Sequence, residues 1–245
     1  MTVRRSYHNR PAAMMRVLVL LGSTLASAPV RGAESLGELL AAVAVQATAP
    51  RPLRADVHIE RDGSAVGDAI LLARGQRIYL ETRSGTRALL SPGKTVVLRG
   101  RRVVRAAPDA ALDGTDILLQ DLEPFAASSL ATPQVSDETP QRLVVTAAPA
   151  LPSPYVLLVY TIDREQDVIL QTKYYRDAIN NLVKIRRDGG FAQVGGRWRP
   201  ATISVQSFRD STTTGLSLAW HEAPDAPAAL FMATGLRAPS SLRWP

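Results

Sequence analysis

Cysteine is absent from all 245 residues. Its absence excludes disulfides, thiolate metal sites, iron–sulfur clusters, a cysteine nucleophile and the acylated cysteine of a lipoprotein anchor. Histidine is scarce: His8, His58 and His221 are the only three, too few for a histidine-rich metal site. Aromatic residues make up 5% of the chain. No apolar run approaches the roughly 18 residues that a membrane helix requires. Catalytic motifs are missing as well. There is no Gly-x-Ser-x-Gly elbow. Ser91-Pro92-Gly93-Lys94-Thr95 ends like a phosphate-binding loop, but Ala88 stands where its first glycine belongs. Strand-like residues follow Thr95, so no helix N-terminus is available for a phosphate. His221-Glu222 opens like a zinc-protease motif without the second histidine, and Pro224 breaks the helix that motif needs. The expectation is a protein without catalytic residues, cofactor or metal.

What charge there is lies unevenly. The net charge is +7, which alone would suggest a nucleic-acid partner. Residues 1–32, however, carry Arg4, Arg5, Arg10, Arg16 and Arg31 and no acid, so the remainder holds 24 basic against 22 acidic residues. No nucleic acid is therefore expected. The same segment continues from Met15-Arg16 into an apolar stretch from Val17 to Ala26, and small residues follow up to Ala33. That is the order of a secretory signal peptide. The expected organisation is a cleaved leader over residues 1–32 and a single domain over 33–245, soluble in the periplasm and without a lipid anchor.

The domain begins with a helix. Ser35-Leu36-Gly37-Glu38 is a capping box, and Leu36, Leu39, Leu40, Val43, Ala44 and Ala47 recur along one helical face. Beyond Pro50 and Pro52 the period becomes two. Leu53, Ala55, Val57 and Ile59 alternate with Arg54, Asp56, His58 and Glu60, and Asp62-Gly63 supplies a turn. Similar runs at 66–73, 76–81, 87–90 and 95–99 make an antiparallel meander, with a second one predicted over 155–162, 168–176, 182–187, 199–208 and 213–220. Asn180-Asn181, Asp188-Gly189-Gly190 and Gly195-Gly196 are turn residues that tolerate positive φ. A tail over 230–236 is apolar enough to pack back. These elements describe a mainly β protein of about ten strands, a strongly curved antiparallel sheet with one or two lid helices.

Between Ala106 and Pro154 the pattern thins. Prolines recur, only 141–146 reads as a strand, and 117–122 reads as a helical turn. Such a stretch is either a functional loop or a boundary between two halves. The arginines at 99, 101, 102 and 105 have two readings: a contact for phosphates or anionic head groups, or a solvated sheet edge that discourages strand-to-strand pairing.

The order of several short motifs resembles the bacterial outer-membrane lipoprotein-sorting family. They are Leu98-Arg99-Gly100-Arg101-Arg102-Val103-Val104-Arg105, then Gly114-Thr115-Asp116, then Asp121-Leu122, with Lys173-Tyr174-Tyr175, Leu182-Val183-Lys184 and Gly196-Arg197-Trp198-Arg199-Pro200 in the C-terminal part. The resemblance covers residues 50–220. It implies an unclosed, LolA-like half-barrel whose concave face holds acyl chains of lipoproteins or other lipids. It also implies an inner-membrane exporter or release complex as donor and an outer-membrane acceptor as recipient. A subunit of an inner-membrane lipid exporter, or a lipoprotein-sensing regulator of envelope stress, is the alternative on the same fold. Alternation of apolar residues in the strands nominates Val57, Ile59, Ile78, Leu80, Leu157, Val159, Leu170, Ile203, Val205 and Leu218 as the concave lining. Gly114, Thr115, Asp116, Asp121 and Leu122 form the family-motif loop. Asp116 is expected to cap the 117–122 turn.

Overall fold

The computed structural model describes residues 35–240 and 242–244; the leader expected over 1–32 lies outside them. Ser35 opens helix α1 (Leu36–Ala47) with a reciprocal cap. Its hydroxyl accepts the Glu38 amide at 3.3 Å, and its own amide donates to Glu38 Oε2 at 2.9 Å. Two orphan donors of the first turn are satisfied at once. The bonds from Ser35 lower the Glu38 pKa. Leu39, Leu40 and Val43 form the buried face. Thr48 is already extended.

Strands then follow as β1 (Ala49–Arg61), β2 (Ser64–Gly75), β3 (Arg77–Thr82), β4 (Arg87–Leu90), β5 (Val96–Arg99) and β6 (Arg102–Arg105). After a long irregular strap come β7 (Leu130–Glu138), β8 (Arg142–Pro149), β9 (Leu157–Asp163), β10 (Val168–Tyr175) and β11 (Leu182–Gly189). A small separate hairpin of β12 (Ala192–Val194) and β13 (Arg197–Arg199) precedes β14 (Thr202–Ser207) and β15 (Thr212–Glu222). Thirteen of these strands make one antiparallel sheet in the order β6-β5-β4-β3-β2-β1-β15-β14-β11-β10-β9-β8-β7. The terminal strands β6 and β7 do not pair with each other, so the sheet is curved but not closed. β1 and β15 join the two meanders over the register Leu53↔Glu222 to Arg61↔Thr214. The 106–154 stretch therefore contributes to one continuous sheet.

Local chemistry accounts for the turns. Asp62 and Gly63 have φ of 51° and 78°, the pair of positive values that a two-residue type I′ hairpin requires. In the turn before β11 the left-handed residue is Asp177, at φ 64°, and not the expected Asn180-Asn181.

The sheet is covered on both faces. On the inner face Ala55, Val57, Ile59, Leu71, Leu80, Leu90, Ile203, Val205, Leu216 and Leu218 pack against Leu112, Ile117, Leu119 and Leu122 of the strap. A second inner cluster puts Leu39, Leu40 and Val43 of α1 on Leu143, Val145, Leu158, Tyr160, Ile162 and Tyr174. On the outer face the C-terminal tail lays Leu230, Phe231 and Leu236 on Ile70, Leu72, Tyr79 and Leu89. This explains why Ala69–Ala73 of β2 is buried without interruption: a strand covered on both sides needs an apolar run, not an alternation. No helix among the described residues is long and apolar enough to cross a membrane.

Candidate ligand cavity

A cavity of about 240 Å³ opens where the two inner clusters meet. Its sheet wall carries Leu71, Ala73, Ile78, Leu158, Tyr160, Val168, Tyr174, Ile203 and Leu218. Val43, Gln46 and Ala47 of α1 and Leu122, Pro124 and Phe125 of the strap close it, and Phe191, Trp198, Arg199 and Trp220 stand at the small hairpin. Phe125 meets Tyr160 edge to face, ring centroids 5.6 Å apart.

The structure divides the expected lining into three groups. Ile78, Ile203 and Leu218 line the cavity. Val57, Ile59, Leu80 and Val205 share that face but are sealed beneath the strap as closed core. Leu157, Val159 and Leu170 require correction. In β9 the buried residues are Leu158, Tyr160 and Ile162, so Leu157 and Val159 point to the outer face. Leu170 falls at a bulge: Ile169 pairs with Ile162 and Gln171 with Thr161, leaving Leu170 as the extra residue. Alternation alone gave no phase for β9, because Leu157–Tyr160 is apolar at every position. Helix residues Val43 and Ala47 carried a usable signal in their spacing. Phe125, Phe191 and Trp220 carried none.

The strap over 106–129 is apolar beneath and polar at its rim. Asp121 is buried at 4% exposure. Its Oδ2 accepts from Lys184 Nζ at 2.7 Å and from the Leu118 amide at 2.9 Å, and its Oδ1 accepts from Tyr155 Oη at 2.7 Å. Lys184 Nζ also donates to the Asp116 carbonyl at 2.7 Å and to Tyr155 Oη at 3.2 Å. All three ammonium donors are thus engaged. Burial, then the Asp121 charge, pushes the Tyr155 phenol far up. Arg186 forks onto Asp188 at 2.6 and 2.7 Å and donates to the Asp121 carbonyl.

The far side of the strap is held as firmly. Glu123 accepts from the Gly93 amide at 2.7 Å and from Thr95 Oγ1 at 2.6 Å, so the loop that imitates a phosphate site grips a carboxylate of its own chain. Burial raises the Glu123 pKa against the effect of these two bonds. Asp113 accepts from Ser84, from Thr86 at 2.9 Å and from Thr82 at 3.0 Å.

The motif loop is placed differently from expectation. Gly114 has φ 71° and makes the turn. Thr115 Oγ1 accepts the Ile117 amide at 3.2 Å, and Asp121 accepts that of Leu118. The capping expected of Asp116 therefore falls to Thr115 and Asp121. The Asp116 carboxylate instead accepts from the Thr212 hydroxyl and faces Arg61 at 3.4 Å. Leu122 is buried in the cavity wall. Among the described residues no group of three or more His, Asp or Glu is placed to hold a metal ion.

No family model and no curated protein matches the chain. Solved structures do. An outer membrane lipoprotein-sorting protein domain from Vibrio parahaemolyticus superposes with a TM-score of 0.66 at 14% identity, over 82% of this chain and 97% of that one. A LolA superfamily protein from Nitrosomonas europaea gives 0.66 at 15%, over 82% and 98%. A DUF1329 family protein from Desulfovibrio piger gives 0.66 at 16%, over 81% and 96%. With its unclosed antiparallel sheet and the helix α1 beside it, the chain has the LolA-like fold of these proteins.

Proposed function

We propose that this protein is a periplasmic carrier that encloses acyl chains of lipoproteins or other lipids in the cavity between α1, the strap and the concave sheet. It binds and releases them without catalysis. In this reading residues 1–32 are a cleaved signal peptide and 33–245 the mature domain. An inner-membrane exporter or release complex hands over the cargo, and an outer-membrane acceptor takes it.

One observation carries the reading: an apolar, aromatic-rich cavity is walled on two sides by elements that the sheet does not need for its own hydrogen bonding. A volume of about 240 Å³ is below the roughly 300–1,000 Å³ of pockets that bury a drug-sized ligand. A long chain therefore requires the cavity to widen. Burial at about 0.8 kcal/mol per methylene offers a fourteen-carbon chain on the order of 11 kcal/mol before the costs of ordering and lid opening. The remainder is binding that is firm and reversible.

The test is lipid extraction of the purified protein, followed by titration with an environment-sensitive acyl probe. Wild type should bind. Ile203→Glu, folded by circular dichroism, should lose about 2 kcal/mol or more, because an unpaired carboxylate resists desolvation. Val159→Glu, on the outer face, should bind as wild type does. A wild type that binds no probe and yields no lipid ends the carrier reading.

A further inference from the structure

Arg199 in β13 is 7% exposed and lines the cavity beside Trp198 and Trp220. Of its five N–H donors, one on Nη1 reaches the Gln46 carbonyl at 3.0 Å and one on Nη2 reaches the Thr48 carbonyl. Its Nε is buried without a partner. Among the described residues no carboxylate pairs with it. The other buried cations of this region are matched: Lys184 by Asp121 and Arg186 by Asp188. Arg197, two residues away, adds a second positive charge, and its Nε is also unpartnered. Burial, followed by Arg197, lowers the Arg199 pKa to about 10, so the guanidinium keeps its charge at neutral pH.

The carbonyls at the C-terminal end of α1 attract a cation, and that accounts for two donors. It leaves a desolvated charge without a counter-charge, a costly arrangement unless something completes it. The Trp220 ring face already meets the guanidinium, 6.0 Å from its carbon to the ring centroid, but carries no counter-charge. An anion at this place would neutralise Arg199 and receive the Nε–H.

We propose that the cargo is an anionic amphiphile whose carboxylate or phosphate head group pairs with Arg199 while its acyl chain lies along Leu218 and Ile203. This rests on the carrier reading and names its cargo class. The test uses the intrinsic fluorescence of the cavity tryptophans. Wild-type protein is titrated with tetradecanoate, with the methyl ester of the same chain, and with acetate and inorganic phosphate. The acid should bind at least tenfold more tightly than the ester, about 1.4 kcal/mol, and the two small anions should not compete at millimolar concentration. In Arg199→Gln the ratio of acid to ester should collapse toward one. Equal affinities of wild type for acid and ester overturn the head-group assignment and leave the carrier reading standing. Saturation by acetate or phosphate alone, with no gain from a chain, overturns it in favour of a free-anion site. Binding of neither acid nor ester removes the carrier reading together with it. Should Arg199→Gln fail to fold, the wild-type ratio still decides.

Discussion

Lys184 and Asp121 place a positive and a negative charge almost completely out of water, 2.7 Å apart. Their bond ties the strap to β11 from within. Removing one partner strands the other. Asp121→Leu should therefore cost about 3–5 kcal/mol in chemical denaturation, whereas adding Lys184→Met should recover most of that loss, since a packed apolar pair replaces a buried ion pair at little cost. A double variant no more stable than the single one would refute the pairing. Asp113 acts at the surface. Burial opposes its charge, but the hydroxyls of Ser84, Thr86 and Thr82 together hold its pKa below the ordinary value. Its contribution is then complete above the usual aspartate pKa of about 4 and is lost as pH falls through the lower folded value. Melting temperature should fall more steeply with acid in wild type than in Asp113→Asn; parallel curves would contradict this.

Among the elements, the C-terminal tail shows how much depends on one close approach. A Cβ on Gly235 would lie 1.9 Å from the Ala229 carbonyl oxygen, a backbone atom that cannot move aside. Gly235→Ala should cost about 1–3 kcal/mol and make the tail sensitive to protease near Arg237, as mapped by limited proteolysis. The tail also explains what could be read in advance. Strands with one wet face, such as β1, announced themselves by alternation. The 66–73 run reads as one more strand of the meander, and its burial on both faces does not, because nothing local says which distant segment will cover an outer face. β7 is illegible in the sequence for a physical reason. It is an edge strand in which Pro133 removes a donor, Thr132 is left-handed at φ 45°, and the register shifts twice. An edge tolerates all three. β6 is the opposite edge, so its exposed Arg102 and Arg105 stand on the strand that most needs protection from pairing.

In the whole molecule, the motif order resembling lipoprotein-sorting proteins was enough to anticipate an unclosed half-barrel, and thirteen strands in one open sheet have that form. The cavity was less legible. Period-two patterning puts Ile78, Ile203 and Leu218 on one face, but Val57 and Leu80 share that face and are closed core; only the path of the strap separates the two sets. The Gly196–Pro200 motif assigns Arg199 no role, because an unmatched charge is visible only once its surroundings are. The two free edges have a mechanical meaning too. A closed barrel has a girth fixed by its strand number and shear. A sheet whose last strands never meet behaves like a scroll: a small change of twist at each of many strand pairs widens or narrows the roll while every ladder bond stays made. The stiffness of the roll, as much as the outline of its pocket, then sets how bulky an occupant it accepts.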